Sequence, residues 1–258
     1  SPQGGAWWVQ AADASLFQVE TSSDLSSWQV AGTFEGGGTP TRLSLPTPEF
    51  SSSEVIEGDA ADYVLAEGPP VAAIYGFDTL RVGSVSSSGG RDAVLIFELP
   101  VLANGLEIAL AELEVHVVRT FAQWDADLWV LGIKDNTTPI LEYSESPTGS
   151  SAVLKLEDAI FDYTTSNSGD IVQSNSLSGL TQYLQSFYAR DPSYAGGKYL
   201  FLRLNSTADI GVNDQRYTVT AANHTTANNR PKLNLFYRAQ GTKPNEQFFR
   251  VRYGTTGL

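Results

Sequence analysis

Ala111-Glu-Leu-Glu-Val-His-Val-Val-Arg119 alternates apolar and polar side chains from Ala111 to Val117. That period of two places Ala111, Leu113, Val115 and Val117 on one face of a strand and Glu112, Glu114 and His116 on the other. The same signal, rich in Val, Ile, Leu, Phe and Tyr, recurs at Thr79 to Val82, Ala93 to Leu99, Asp127 to Ile133, Ala152 to Leu156, Tyr199 to Leu204, Tyr217 to Ala221 and Lys232 to Tyr237. Clusters of Gly, Ser, Asn and Pro separate these runs. Many short strands at such spacing predict an all-β fold, a β-sandwich or jelly roll. One stretch differs: Leu177, Leu180, Tyr183, Leu184 and Phe187 fall at helical spacing ahead of Asp191-Pro192. A short amphipathic helix capping one open end of the core is expected there.

The two ends of the chain read as halves of a second, smaller β module. Phe17-Gln-Val-Glu-Thr-Ser-Ser-Asp-Leu-Ser-Ser-Trp28 is an alternating strand with a polar turn, and Asn245-Glu-Gln-Phe-Phe-Arg-Val-Arg-Tyr253 is another alternating strand. Linker-like composition at Gly36 to Pro40, Pro46 to Pro48 and Ser51 to Ser53, and again at Ala239 to Pro244, marks the junctions. The expected division is 1–46 for the first half of the small module, 47–53 for a linker, 54–238 for the sandwich and 239–258 for the closing strand. That strand completes its own module or a neighbour's. Trp7, Trp8, Val9, Phe17, Val19, Phe248, Phe249, Val251 and Tyr253 are the candidate assembly residues. A ribbon carrying two adjacent indoles cannot bury both of its faces alone.

The chain has 258 residues, 29 acidic against 16 basic, for a formal charge of −13. A phosphate backbone needs a basic footprint, so nucleic acid is excluded as a partner class. No apolar run is long enough for a membrane span. The absence of Cys and Met, with a start at Ser1 rather than an initiator Met, leads us to expect a processed extracellular or cell-surface form after signal-peptide removal. Asn136, Asn205 and Asn223 begin glycosylation sequons.

Ala61-Asp-Tyr-Val-Leu65, Tyr75-Gly-Phe-Asp-Thr-Leu-Arg-Val-Gly83, Arg91-Asp-Ala-Val-Leu-Ile-Phe-Glu-Leu-Pro100, the strand from Ala111 and the closing Asn229-Arg-Pro-Lys-Leu-Asn-Leu-Phe-Tyr237 follow one another in a recognisable order. With the helical stretch, they make residues 54 to 238 resemble the DNRLRE domain family, disaggregatase-related modules that include an alginate-binding carbohydrate-binding family. The resemblance implies a β-sandwich attached to secreted or surface proteins, without catalysis of its own. Phe121-Ala-Gln-Trp124-Asp-Ala-Asp-Leu-Trp129 stands where that family often carries a Trp-x-Glu segment, so no sugar-binding residue transfers directly. The flanking halves resemble short modules of large bacterial secreted proteins that read Phe-x-Val-Glu-x-Ser-x-Asp-Leu-x-x-Trp and end in Phe-Phe-Arg-Val-Arg.

Candidate chemistry is sparse. The chain has two histidines, His116 inside a strand and His224 in a polar loop, and neither accompanies a nucleophile motif. Zinc lacks a ligand set. Calcium is the more reasonable metal, with Asp59 and Asp62, Asp125 and Asp127, and Asp209 with Asn213 and Asp214 as loop carboxylates. Trp124, Tyr143 and Tyr194 are candidate platforms for a sugar ring, whereas Trp129 is expected in the core. The expected function is that of a non-catalytic structural subunit forming a filament of copies by β-strand addition at its terminal segments. The other reading is a monomeric module binding an acidic polysaccharide.

Overall fold

The computed structural model describes residues 6–9, 16–22, 29–35, 41–44, 50–67, 70–84, 89–121, 124–141, 153–175, 179–206, 215–240 and 248–254. It divides into two compact units, one formed by Ser1–Phe50 with Gly241–Leu258 and the other by Ser51–Gln240.

In the first unit β1 (Ala6–Val9) pairs antiparallel with β4 (Thr41–Ser44), setting Trp7 opposite Leu43 and Trp8 opposite Arg42. A separate three-stranded sheet has the order β17 (Phe248–Gly254), β2 (Leu16–Ser22), β3 (Gln29–Glu35). The closing strand therefore pairs within its own chain, with Val251 opposite Val19, Tyr253 opposite Phe17, Phe249 opposite Thr21 and Phe248 opposite Ser22.

The second unit is a curled antiparallel sheet with one helix. Its strands are β5 (Ser52–Glu57), β6 (Tyr63–Ala66), β7 (Ala72–Ile74), β8 (Thr79–Ser84), β9 (Gly90–Glu98), β10 (Leu106–Thr120), β11 (Ala126–Lys134), β12 (Leu154–Phe161), β13 (Ile171–Gln173), β14 (Tyr199–Ser206), β15 (Gln215–Thr220) and β16 (Lys232–Ala239). They run in the order β12-β11-β14-β9-β8-β15-β10-β16-β5, with the β6–β7 hairpin added on β9 and β13 on β10. Curling brings the two halves of this path face to face. Between them lie the inward residues of β10 (Ile108, Ala111, Leu113, Val115, Val117), of β14 (Leu200, Leu202, Leu204) and of β16 (Leu233, Leu235, Tyr237). The alternation read from Ala111 onward is this inward face.

Strand β9 departs from simple alternation, because Ala93, Val94, Leu95, Ile96 and Phe97 are all buried. Ala93, Leu95 and Phe97 enter the main core. Val94 and Ile96 face the other way, into a second cluster with Tyr63, Leu65, Trp129, Leu131, Val153 and Phe201. β6 pairs edge to edge with β9, Tyr63 opposite Val94, and Val153 and Ile140 join the cluster on that outer face, so β9 reads as a continuous apolar run. At roughly 1.5–3 kcal/mol for each large aliphatic or aromatic side chain withdrawn from water, this second layer contributes on the scale of the unit's net stability.

The second layer also encloses charge. Arg203 and Asp92 are 0% and 1% exposed, with Nε and Oδ2 3.7 Å apart, and the guanidinium carbon lies 5.3 Å from the centre of the Trp129 ring. Burying a charged group costs several kcal/mol unless a counter-charge and hydrogen bonds surround it. The aromatic face and the carboxylate provide that compensation here. Tyr63, itself within the layer, pins the Ile140 segment to it: its hydroxyl donates to the Ile140 carbonyl at 2.8 Å and accepts from the Ile140 N–H at 2.9 Å.

Helix α1 (Gly179–Arg190) buries Leu180, Leu184 and Phe187, spaced four and three residues apart on one face. Leu177, expected to begin that face, lies outside the described residues. Thr181 accepts the Ala111 N–H at 3.0 Å, fixing the helix to β10. A β-carbon at Gly179 would stand 2.9 Å from the Leu156 carbonyl oxygen, so glycine lets the helix approach β12 closely.

Gly83 is the tightest backbone approach. Its φ is +116°, and a β-carbon there would fall 2.4 Å from the Gln215 carbonyl oxygen on the paired strand β15. Gly83→Ala adds backbone strain to a steric overlap and is expected to destabilise the second unit by about 2–4 kcal/mol. Urea unfolding monitored by tryptophan fluorescence measures that loss; a midpoint equal to the parent's would refute the close approach.

Candidate functional site

One corner of the second unit gathers exposed aromatic rings and guanidinium groups. The chain turns there from β10 into β11, and three hydrogen bonds fix the corner. Phe121 donates its N–H to the Arg216 carbonyl at 2.8 Å, Tyr217 donates its hydroxyl to the Trp124 carbonyl at 3.0 Å, and Tyr163 donates its N–H to Asp125 Oδ1 at 3.0 Å. Backbone and buried hydroxyl hold the corner, so the rings remain outside. Phe121, Trp124 and Tyr163 are 50%, 44% and 52% exposed. The guanidinium carbons of Arg119 and Arg216 lie 5.5 and 5.9 Å from the centre of the Phe121 ring. Burial, reinforced by the charges of Asp125 and Asp162, holds the Tyr217 hydroxyl above its ordinary range, so it remains protonated as a donor to Trp124.

Such a corner can stack the apolar face of a pyranose on a ring and offer guanidinium and carboxylate groups to hydroxyl or carboxylate substituents. Trp124 was legible in the sequence as a surface ring. Phe121 stands three residues before it in the same segment, with nothing in the local sequence to mark it as exposed. Arg216 reaches the corner from β15, almost a hundred residues further along, and only the strand pairing reveals it.

Tyr194 is not a platform. It is 8% exposed, donates its hydroxyl to the Leu99 carbonyl at 2.9 Å and accepts the Lys198 N–H at 3.1 Å. Its ring packs edge-on against Phe187 and Tyr188, with centroids 5.4 and 5.9 Å away. A ring so enclosed serves the core end capped by α1. Tyr143 lies outside the described residues. Trp129 belongs to the second buried layer.

The acidic candidates are occupied by the fold. Asp59 Oδ1 accepts the Ala61 N–H at 2.8 Å in a turn. Asp62 is 4% exposed and accepts the Ala222 N–H at 2.7 Å. Asp127 meets the Lys155 ammonium at 2.6 Å and accepts the Ala159 N–H at 2.9 Å. Asp209, Asn213 and Asp214 fall outside the described residues. Among the described residues no three His, Asp or Glu side chains stand close enough to hold a metal ion together. His224 Nδ1 accepts the Thr226 N–H within its own turn, and His116 sits in β10 opposite Ile171 of β13. Asn136 and Asn223 are exposed, while Asn205 is 4% exposed within β14.

No family model matches the chain, and a search of curated proteins returns no match. Among the described residues no helix is long and apolar enough to cross a membrane.

Asp62 makes the electrostatics testable. Burial, partly opposed by the hydrogen bond from Ala222, pushes its carboxyl up from 3.8 to about 6. Between those values the folded state binds more protons than the unfolded, so this group's contribution to stability declines as pH rises through the window and is constant above it. Asp62→Asn retains an acceptor for the Ala222 N–H without the charge. At pH 7 it is expected to stabilise the unit by about 2–3 kcal/mol, and below pH 4 to leave it unchanged. Urea midpoints at the two pH values check both statements.

Proposed function

We propose that this protein is a non-catalytic extracellular structural subunit that assembles with copies of itself into a cell-surface or matrix filament. The contacts are β-strand additions at the terminal segments. One observation carries this reading: β1, β4, β3 and β17 each have one edge without a strand partner among the described residues. Open edges of this kind present rows of backbone donors and acceptors, and short two- and three-stranded sheets are marginal alone. Because β17 pairs with β2 of its own chain, the outer edges, rather than whole donated strands, are what a neighbouring copy would meet. Head-to-tail addition does not close on itself, so repetition extends a filament.

Removing residues 1–10 deletes β1 and opens the inner edge of β4. The truncated protein is expected to keep its second unit folded and to lose assembly. Light scattering across a concentration series, with electron microscopy of the full chain, measures this; monodisperse monomers of the full chain at every concentration would overturn the reading. In a chain free of Cys, the substitutions Val19→Cys and Val251→Cys place one thiol pair in the β2–β17 register, within disulfide reach. Under oxidation an intrachain bond without a mass ladder is expected, and a ladder would show that copies exchange whole strands instead.

A second reading rests on the exposed corner at Phe121 and Trp124. Residues 54 to 238 resemble DNRLRE modules, and an exposed ring flanked by guanidinium groups suits an acidic polysaccharide despite the net charge of −13. Calcium in the buffer would bridge the remaining like charge. Trp124→Ala is expected to weaken gel retardation by alginate-type polymers at least about tenfold, the equivalent of ~1.4 kcal/mol. Retardation unchanged by the substitution would remove this reading.

A further inference from the structure

Strand β11 bends at its far end. Its pairing with β14 shifts register between Val130 and Gly132, and Gly132 adopts φ +144°, a conformation that side-chain-bearing residues rarely adopt. A bulge of this kind re-aims the residues that follow it. Ile133 and Lys134 then border a pocket of about 480 Å³, which α1 lines through Tyr183, Phe187 and Arg190. Leu131, Ile140, Val153 and Lys198 complete the lining.

The chemistry of that lining is lopsided. Lys134, Arg190 and Lys198 bring three cations to one pocket, and none of its described lining residues is Asp, Glu, Asn, Gln, Ser or Thr. The chain as a whole carries 29 acids against 16 bases, so the local sign is opposite to the global one. Each cation makes one hydrogen bond or ion pair and retains further donors, and the Lys134 ammonium also lies 5.8 Å from the centre of the Phe201 ring. Lys134 donates to the Thr138 carbonyl at 2.7 Å, Arg190 Nε to the Ser186 carbonyl at 3.1 Å, and Lys198 to Asp135 Oδ1 at 3.1 Å. Lys198 is thus partly neutralised. Lys134 and Arg190 meet no carboxylate within 4.0 Å among the described residues.

We infer that this pocket binds a small amphiphilic carboxylate, with the anionic head between Lys134 and Arg190 and an apolar body against Leu131, Ile133, Ile140, Val153 and Phe187. A sugar acid is disfavoured because its hydroxyls would find few partners on an aliphatic wall, and leaving them unpaired costs binding energy. An alkyl or aryl tail has no such need. The volume lies within the range of small-ligand sites. This site is separate from the Trp124 corner and from the terminal strands, so it stands or falls independently of both functional readings.

Octanoate is the probe, with 1-octanol as its neutral counterpart and acetate as the head alone. In ¹⁵N-resolved NMR titrations of the full chain, octanoate is expected to shift the amides of Gly132, Ile133, Tyr183 and Phe187. Octanol should bind at least about tenfold more weakly and acetate should give no saturable shift. The double substitution Lys134→Gln and Arg190→Gln should weaken octanoate about tenfold or more and leave octanol unaffected. Raising salt from 0.05 to 0.5 M on the unaltered protein should weaken octanoate selectively, a reading independent of whether the variant folds. Equal affinity for octanoate and octanol, an unweakened double variant with a native amide spectrum, or shifts confined to other residues would each overturn the assignment.

Discussion

The need to cover β9 on both faces organises the second unit. A strand whose consecutive residues Ala93 to Phe97 are all buried requires a layer on each side. The curled sheet supplies the inner layer. The outer cluster is built by side chains of β9 and its sheet neighbours, among them Tyr63 and Leu65 of β6 and Phe201 of β14, with the segment that Tyr63 anchors through Ile140. Arg203 and Asp92 lie inside that second layer, so a charged pair is enclosed with Trp129 where a purely apolar layer would also have been possible. Removing one partner would strand the other in a water-excluded space, which makes the pair costly to break whatever its net contribution.

The fold class was legible because period-two alternation is a local signal, and β10 and β16 display it over residues that bury one face only, whereas β14 is buried on both. The helix was legible for the same reason at a period of 3.6. What alternation does not encode is a second covering layer. Ala93 to Leu99 counts among the alternating runs, although its continuous apolar stretch is the mark of burial on both sides. Tyr194 shows a related limit. An isolated tyrosine between turn residues reads as a surface ring, yet the Leu99 carbonyl and Lys198 N–H complete its hydroxyl, and Phe187 and Tyr188 enclose its ring. Leu99 is distant in sequence and the two rings lie on α1, so only the Lys198 N–H is local.

The corner around Trp124 divides in the same way. Trp124 is legible because it stands between Gln123 and Asp125 at a strand edge. The guanidinium of Arg216 joins Phe121 only because β15 runs antiparallel to β10 with Tyr217 opposite Thr120. The aspartates are engaged in two ways: Asp59 accepts a backbone N–H within its own turn, whereas Asp125 and Asp127 accept the N–H groups of Tyr163 and Ala159 from a distant segment. A carboxylate committed to a backbone N–H or an ammonium has fewer lone pairs and less net charge to offer a cation.

The same strand logic explains how one β unit can be spliced into another. The second unit begins and ends on neighbouring strands: β5 pairs with β16, Ser52 opposite Tyr237, and the Ser51 N–H donates to the Tyr237 carbonyl at 2.8 Å. Adjacent strands are separated by about 4.8 Å, so the chain enters and leaves this unit a few ångströms apart. An inserted domain with ends that close makes small demands on the loop that receives it, since closure entropy depends on the effective span rather than on the number of residues inserted. The β2–β17 pairing joins residues from the two chain ends, Val19 with Val251, and it can form because the intervening unit returns the chain close to where it left. A substitution that separated β5 from β16 would therefore weaken the terminal sheet as well, by lengthening the loop that its register must close.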